Sequence, residues 1–111
     1  TPGEFSALHR LKQDEIFHFY GGDPVEMLQI QEDGTSRKIT LGSDILNGQE
    51  VQVIVPAGTW QGTRIIDGGS WALMGTTVSP GFEFADFELG DRVRLAERYP
   101  NLSEDILRYT R

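Results

Sequence analysis

The chain has no cysteine, which excludes disulfide bridges and thiolate metal sites. A cysteine-free sequence agrees with a cytoplasmic location, the one expected here. Long apolar runs are also missing. None approaches the roughly 18 residues needed to cross a bilayer, so no membrane partner is expected. Positive charge is scarce: 10 Lys and Arg stand against 17 Asp and Glu, a formal net charge of −7. The basic residues are scattered (Arg10, Lys12, Arg37, Lys38, Arg92, Arg94) and build no patch. That balance lacks the phosphate attraction on which nucleic-acid binders depend, and no nucleic-acid partner is expected. No Gly-Lys-Ser/Thr phosphate loop and no Gly-x-Ser-x-Gly elbow occurs. The sequence opens Thr1-Pro2-Gly3 and enters its first strand almost at once, an opening from which we expect further residues upstream.

What the chain does have is turns. Its 111 residues suit one domain around one core. Thirteen glycines and five prolines in that length predict many short strands. Phe5 to Lys12 alternates with period two, placing Phe5, Ala7, His9 and Leu11 on one face. Glu15 to Tyr20 follows, with Glu15, Phe17 and Phe19 on one face and Ile16, His18 and Tyr20 on the other. Val25–Gln31 and Arg37–Leu41 flank an Asp33-Gly34 hairpin signal. Glu50–Val55, Trp60–Ile66 and Trp71–Val78 are three further strands, with Val51, Val53 and Val55 sharing a face. Phe82–Phe87 is aromatic and extended. Short strands at this spacing predict an all-β sandwich or barrel over residues 1–89. The rest, 90–111, predicts one or two short helices. Asp91 caps the first, Arg92–Tyr99, which buries Val93, Leu95 and Ala96. Ser103 caps the second, Glu104–Tyr109, with Leu102 stapled onto Leu107.

His9 and Glu15 are the residues that could carry chemistry. On adjacent strands facing one interior, an imidazole and a carboxylate can bind a divalent cation. They can equally form a proton-transfer pair, the carboxylate orienting the imidazole. The third reading is a histidine bonded to a glutamate inside an apolar core. Gln61 is a further polar candidate, and Phe17, Phe19, Trp60 and Trp71 are candidate pocket walls for a sugar or nucleotide base. His9, Glu15 and Gln61 are the only candidates for a metal, and no metal or other cofactor is firmly expected.

The spacing of Gly3, His9, Glu15 and Gly22 resembles the first signature of the cupin superfamily. Five residues separate Gly3 from His9, five separate His9 from Glu15, and six separate Glu15 from Gly22. Pro56-Ala57-Gly58-Thr59-Trp60-Gln61 resembles the second signature. Leu11 stands where the family carries a second histidine, Gln61 stands where it carries a third, and Gly48 lies one residue too far from Pro56. Two of the four usual metal ligands are therefore changed. The runs TPGEFSALHRLKQDEIFHFYGGDP, VPAGTWQGTR and SPGFEFADFEL look like a cupin branch of unknown function similar to the sugar-nucleotide epimerases of the dTDP-rhamnose pathway. That resemblance spans Thr1 to about Leu89. It implies a cupin-type double-stranded β-helix (jelly-roll) barrel, a homodimer, and a small polar ligand in the barrel. It implies an epimerase or isomerase in which His9 is the base, Glu15 orients it and Gln61 bonds the substrate. A ligand-binding or regulatory protein that has lost its metal, and a metal-dependent lyase or dioxygenase, are the alternatives.

Overall fold

A computed structural model describes residues 5–79 and 87–110 of the chain. The opening turn at Gly3, the Ser79-Pro80-Gly81 turn and the Phe82–Asp86 part of the aromatic segment lie outside the described residues. The described residues form eight strands: β1 (Phe5–Leu11), β2 (Asp14–Gly22), β3 (Val25–Ile30), β4 (Ser36–Leu41), β5 (Gln52–Val55), β6 (Trp60–Ile65), β7 (Ala72–Ser79) and β8 (Phe87–Leu89). Two short helices follow, α1 (Arg92–Arg98) and α2 (Ser103–Arg108). All strand pairs are antiparallel, in a five-stranded sheet ordered β4-β3-β6-β1-β8 and a three-stranded sheet ordered β5-β2-β7. The sheets face one another and enclose a jelly-roll barrel, the all-β architecture read from the turns and alternation.

Two hydrophobic clusters hold this arrangement. Between the sheets lie Phe17, Phe19, Val25, Met27, Ile39, Leu41, Val53 and Val55. On the other side of the five-stranded sheet, Leu8, Leu28, Ile30 and Trp60 pack under the helices against Leu95, Tyr99, Ile106 and Tyr109. The larger sheet is thus buried on both faces, and strand parity decides which cluster each side chain joins. On β3, Val25 and Met27 turn into the barrel while Leu28 and Ile30 turn to the helices. Gly62 of β6 sits on the helix side, where an added Cβ would meet Tyr109 Cδ1 at 3.0 Å and the Ser6 carbonyl at 3.1 Å. Close approach of the helix is what requires glycine there.

Polar contacts fasten the helices to the sheet. The Tyr109 hydroxyl donates to Glu26 Oε1 at 2.5 Å, and Leu8 N–H donates to the Tyr109 carbonyl at 2.6 Å. Glu32 pairs with Arg10 at 2.9 Å and Arg98 at 2.5 Å, and Arg10 also pairs with Glu88. Asp23 accepts from the backbone N–H groups of Ser70 and Trp71, tying the β2–β3 turn to the β6–β7 turn. Those two bonds hold its carboxyl below the ordinary value.

Several local expectations are corrected. The pairing of β1 with β6 shifts register between Ser6 and His9, so strict alternation fails and Ser6, paired with Thr63, falls on the face of His9; Leu8, on the opposite face, is fully buried under the helices. Val51 precedes β5 and is 42% exposed rather than sharing the Val53 and Val55 face. Val93 points to solvent, and within α1 only Leu95 is buried. Asp91 caps α1 as expected, accepting from Arg94 N–H. Ser103, however, is already helical, because the 3-10 turn Pro100–Leu102 runs directly into α2; Leu102 occupies the cap position without a side-chain bond. Leu102 packs against the helix-side cluster, and Leu107 is 57% exposed, so the two form no staple.

Two outcomes follow for stability. Ile106→Ala empties a fully buried position and should cost about 2–4 kcal/mol in urea unfolding. Burial, then the hydrogen bond and charge of Glu26, raises the Tyr109 hydroxyl above its ordinary value of 10.0. A hydroxyl that keeps its proton longer when folded contributes stability that is full below pH 10.0 and declines as pH rises past it. Melting midpoints should therefore fall steeply in that alkaline range, and Tyr109→Phe should flatten the fall.

Candidate functional site

Two turns bring the polar residues together. The carboxylate of Asp14, the first residue of β2, accepts from Ala57 N–H at 2.8 Å, and the Leu11 carbonyl accepts from Gly58 N–H at 2.8 Å. Gly58 has φ of +81°, a left-handed conformation that favours glycine. The Pro56–Thr59 turn is thereby pinned beside the start of β2. Glu15 opens β2 from the smaller sheet, and Gln61 enters from β6 of the larger one.

Across the larger sheet, direct cross-strand partners form one transverse row: Leu89, His9, Gln61, Gln29 and Arg37, from β8, β1, β6, β3 and β4. Cross-strand partners share a face, and Gln29 shares the face of Val25 and Met27, so this row looks into the barrel. Its ends are exposed, whereas Gln29 and Gln61 are each only 1% exposed. Glu15, also buried, reaches the row from the opposite sheet and accepts a hydrogen bond from Gln61 Nε2.

The bonding of each group defines what it can still offer. His9 Nδ1 lies 2.7 Å from the Ala7 carbonyl. A carbonyl only accepts, so Nδ1 carries the proton and Nε2 of the neutral ring presents a lone pair. The His9 ring stacks on Phe87 with centroids 5.3 Å apart. Gln29 Nε2 faces two acceptors, the Ile54 carbonyl and Met27 Sδ, each at 3.4 Å. Gln29 Oε1 and Gln61 Oε1 are buried without any hydrogen-bond partner among the described residues. An orphaned buried acceptor costs on the order of 1–3 kcal/mol.

The candidates named from the sequence are thus partly assembled. Glu15 and Gln61 are bonded, and His9 stands next to Gln61 in the row. His9 and Glu15 are not bonded to one another: the Ala7 carbonyl fixes the imidazole, and Gln61 occupies the carboxylate. The expected orienting role of Glu15 is corrected accordingly. Phe17 and Phe19 share the barrel side with Glu15 but sit within the packed apolar cluster. Trp60 is corrected by parity. As the neighbour of Gln61 along one strand it points the opposite way, under the helices, with the Arg10 guanidinium 4.6 Å over its ring. Trp71 is 60% exposed beside the Gly22 turn and does not join the polar group. Gln29 was missed from the sequence. Its signal was a polar residue on the parity of β3 otherwise held by Val25 and Met27.

Residues 1–90 match the family described as Cupin superfamily (DUF985). Among solved structures, a protein from Shewanella oneidensis superimposes with a TM-score of 0.92 at 35% identity, over 98% of this chain and 68% of its own. A hypothetical protein from Leishmania major gives 0.92 at 30% identity, over 99% of this chain and 71% of its own. Oxalate decarboxylase from Bacillus subtilis gives 0.64 at 16% identity, over 98% of this chain but 28% of its own, a likeness of fold alone. No curated protein matches the sequence.

The Bacillus enzyme is described as holding Mn(II) centres, and the residues here do not fit such a group. Among the described residues no cluster of three or more His, Asp or Glu could hold a metal. Leu11 offers hydrocarbon, and Gln61 aims an amide N–H into the carboxylate that would have to ligate. The Glu15–Gln61 bond instead predicts coupling. Gln61→Leu alone should destabilise by about 1–3 kcal/mol, since it strips a buried carboxylate of its donor. The double variant Glu15→Leu with Gln61→Leu should recover most of that loss in a double-mutant cycle read by denaturant unfolding.

Proposed function

We propose, on the premise that this chain belongs to the cupin superfamily, that it binds a small polar metabolite of sugar or nucleotide type inside its barrel. The place of binding is the row His9, Gln61 and Gln29 opposite Glu15, with Phe17 and Phe19 forming apolar wall behind it. One observation carries this reading: two adjacent strands bury carboxamide oxygens that nothing among the described residues satisfies. Folded chains rarely retain such groups without use, because an unsatisfied buried oxygen lowers stability. A ligand that satisfies both oxygens recovers that cost on binding.

Where the bound molecule is turned over, the reaction within reach is epimerisation or isomerisation. His9 Nε2 would take a proton next to a carbonyl, with Nδ1–H held by Ala7 throughout. Gln61 commits one of its two amide N–H groups to Glu15, which leaves one for a developing oxyanion. That commitment, with Leu11 in place of a histidine, favours a second reading, a ligand-binding or regulatory protein without turnover. We further propose a homodimer, because the outer face of the three-stranded sheet leaves Tyr20, Ile54 and Leu73 exposed.

Thermal unfolding against a panel of sugars, nucleotides, sugar nucleotides and organic acids tests the binding proposal. A native-state ligand at 100 times its Kd adds about 2.7 kcal/mol and raises the midpoint. Gln61→Leu should abolish the rise; a rise of unchanged size in that variant places the ligand elsewhere. Deuterium incorporation from solvent into a bound sugar nucleotide tests turnover, and His9→Asn should slow it by about 10²–10⁴-fold if His9 is the base. Absence of incorporation in the wild-type protein selects the non-catalytic reading.

A further inference from the structure

The row at the barrel interior does more than mark a binding place: it has a polarity. Its three inner groups, His9, Gln61 and Gln29, each give a donor to the protein and keep an acceptor, while Arg37 stands at the exposed end. Gln61 gives one amide N–H to Glu15, and its orientation is fixed, because a flipped amide would set oxygen against carboxylate oxygen. Gln29 turns its nitrogen toward the Ile54 carbonyl and Met27 Sδ, and a flip would oppose carbonyl to carbonyl. His9 gives Nδ1–H to Ala7. Left over are Gln61 Oε1 and Gln29 Oε1, both orphaned, the His9 Nε2 lone pair, and the carboxylate oxygen of Glu15 that Gln61 does not engage. Among the described residues, neither lysine nor arginine bonds any of these groups.

From this we infer that the barrel selects its ligand through hydrogen-bond donors, namely adjacent hydroxyl groups of a polyhydroxylated molecule, and rejects acceptor-only anions such as small dicarboxylates. The inference rests on the proposed binding function and narrows it. A hydroxyl can give its proton to a carboxamide oxygen and still accept from a neighbouring hydroxyl. Gln61 and Gln29 stand in direct register on adjacent antiparallel strands, so two neighbouring hydroxyls can reach one acceptor each. A dicarboxylate would face these acceptors in a space of low dielectric, and the inner row offers it only the second amide N–H of Gln61 against its desolvation.

The experiment compares three classes of probe on the purified chain by melting midpoint and by calorimetric titration. The first class is myo-inositol, glucose and a nucleoside-diphosphate sugar beside its nucleoside diphosphate; the second is oxalate and succinate; the third is magnesium or calcium chloride. Each is repeated on Gln29→Met, which keeps the shape and removes the orphaned oxygen. The expected result is a rise in midpoint with polyhydroxylated probes only, and at least a tenfold loss of their affinity in Gln29→Met. The free variant should melt higher than wild type, by about 4 °C for each kcal/mol recovered.

A larger response to oxalate, succinate or the metal salts, lost in Gln61→Leu, would overturn the donor rule while leaving binding in the barrel intact. A lower midpoint for free Gln29→Met with unchanged polyol affinity would overturn it too, by showing the amide to be structural. No response to any probe would overturn both this inference and the function on which it rests.

Discussion

The five-stranded sheet is buried on both faces, and this constraint governs the remainder of the structure. A strand in such a sheet cannot alternate simply between apolar and polar, because each parity meets a different core. Consecutive side chains of β6 illustrate it: Trp60 enters the cluster beneath the helices and Gln61 enters the barrel. Gly62 then leaves room for Tyr109, and Thr63 turns inward again. The helices α1 and α2 are therefore part of the barrel's support, covering the outer face of the strands that carry the row. The Glu32 ion pairs and the Tyr109–Glu26 bond fix how that cover sits.

Against that apolar frame the row is an exception. Its neighbours along the strands are mostly apolar, Met27 with Ile39 on one side and Leu11 on the other, with Thr63 the inward hydroxyl of β6, yet Gln29 and Gln61 are almost fully buried. Nothing in the alternation requires glutamine there; leucine or methionine would fill the same volume without an unsatisfied oxygen. Departures of this kind from local consistency concentrate where a protein binds something. The bulge in β1 belongs to the same device, since the one-residue shift between Ser6 and His9 is what sets His9 opposite Gln61.

Likeness of fold and likeness of chemistry separate here. The barrel is shared with oxalate decarboxylase at 16% identity, while the donor set that a transition metal needs is not assembled among the described residues. A superfold hosts many reactions, and the site must be argued from its own atoms. In this chain the surviving histidine and glutamate serve different partners, one a backbone carbonyl and the other a glutamine.

Much of the architecture was legible in the residues. Turn chemistry at Asp33-Gly34 and Pro56-Ala57-Gly58, period-two alternation in Val53 and Val55, and the Asp91 cap are local signals with local causes, and they yielded β1 to β7 and the first helix within a residue or two. The spacing of His9, Glu15 and Gln61 likewise singled out three residues that the fold brings together. What sequence could not supply was direction. Whether Trp60 or Gln61 faces the barrel depends on which side of the sheet carries the helices, and Ser103 loses its cap to the preceding turn at Pro100. Gln29 joins the row only through pairing with β6, a strand more than thirty positions away along the chain. Local chemistry determined where the chain turns and where it extends; only packing of the two sheets and the helical cover decided which side chains share an enclosed space, because that choice is made by contacts between segments distant in sequence.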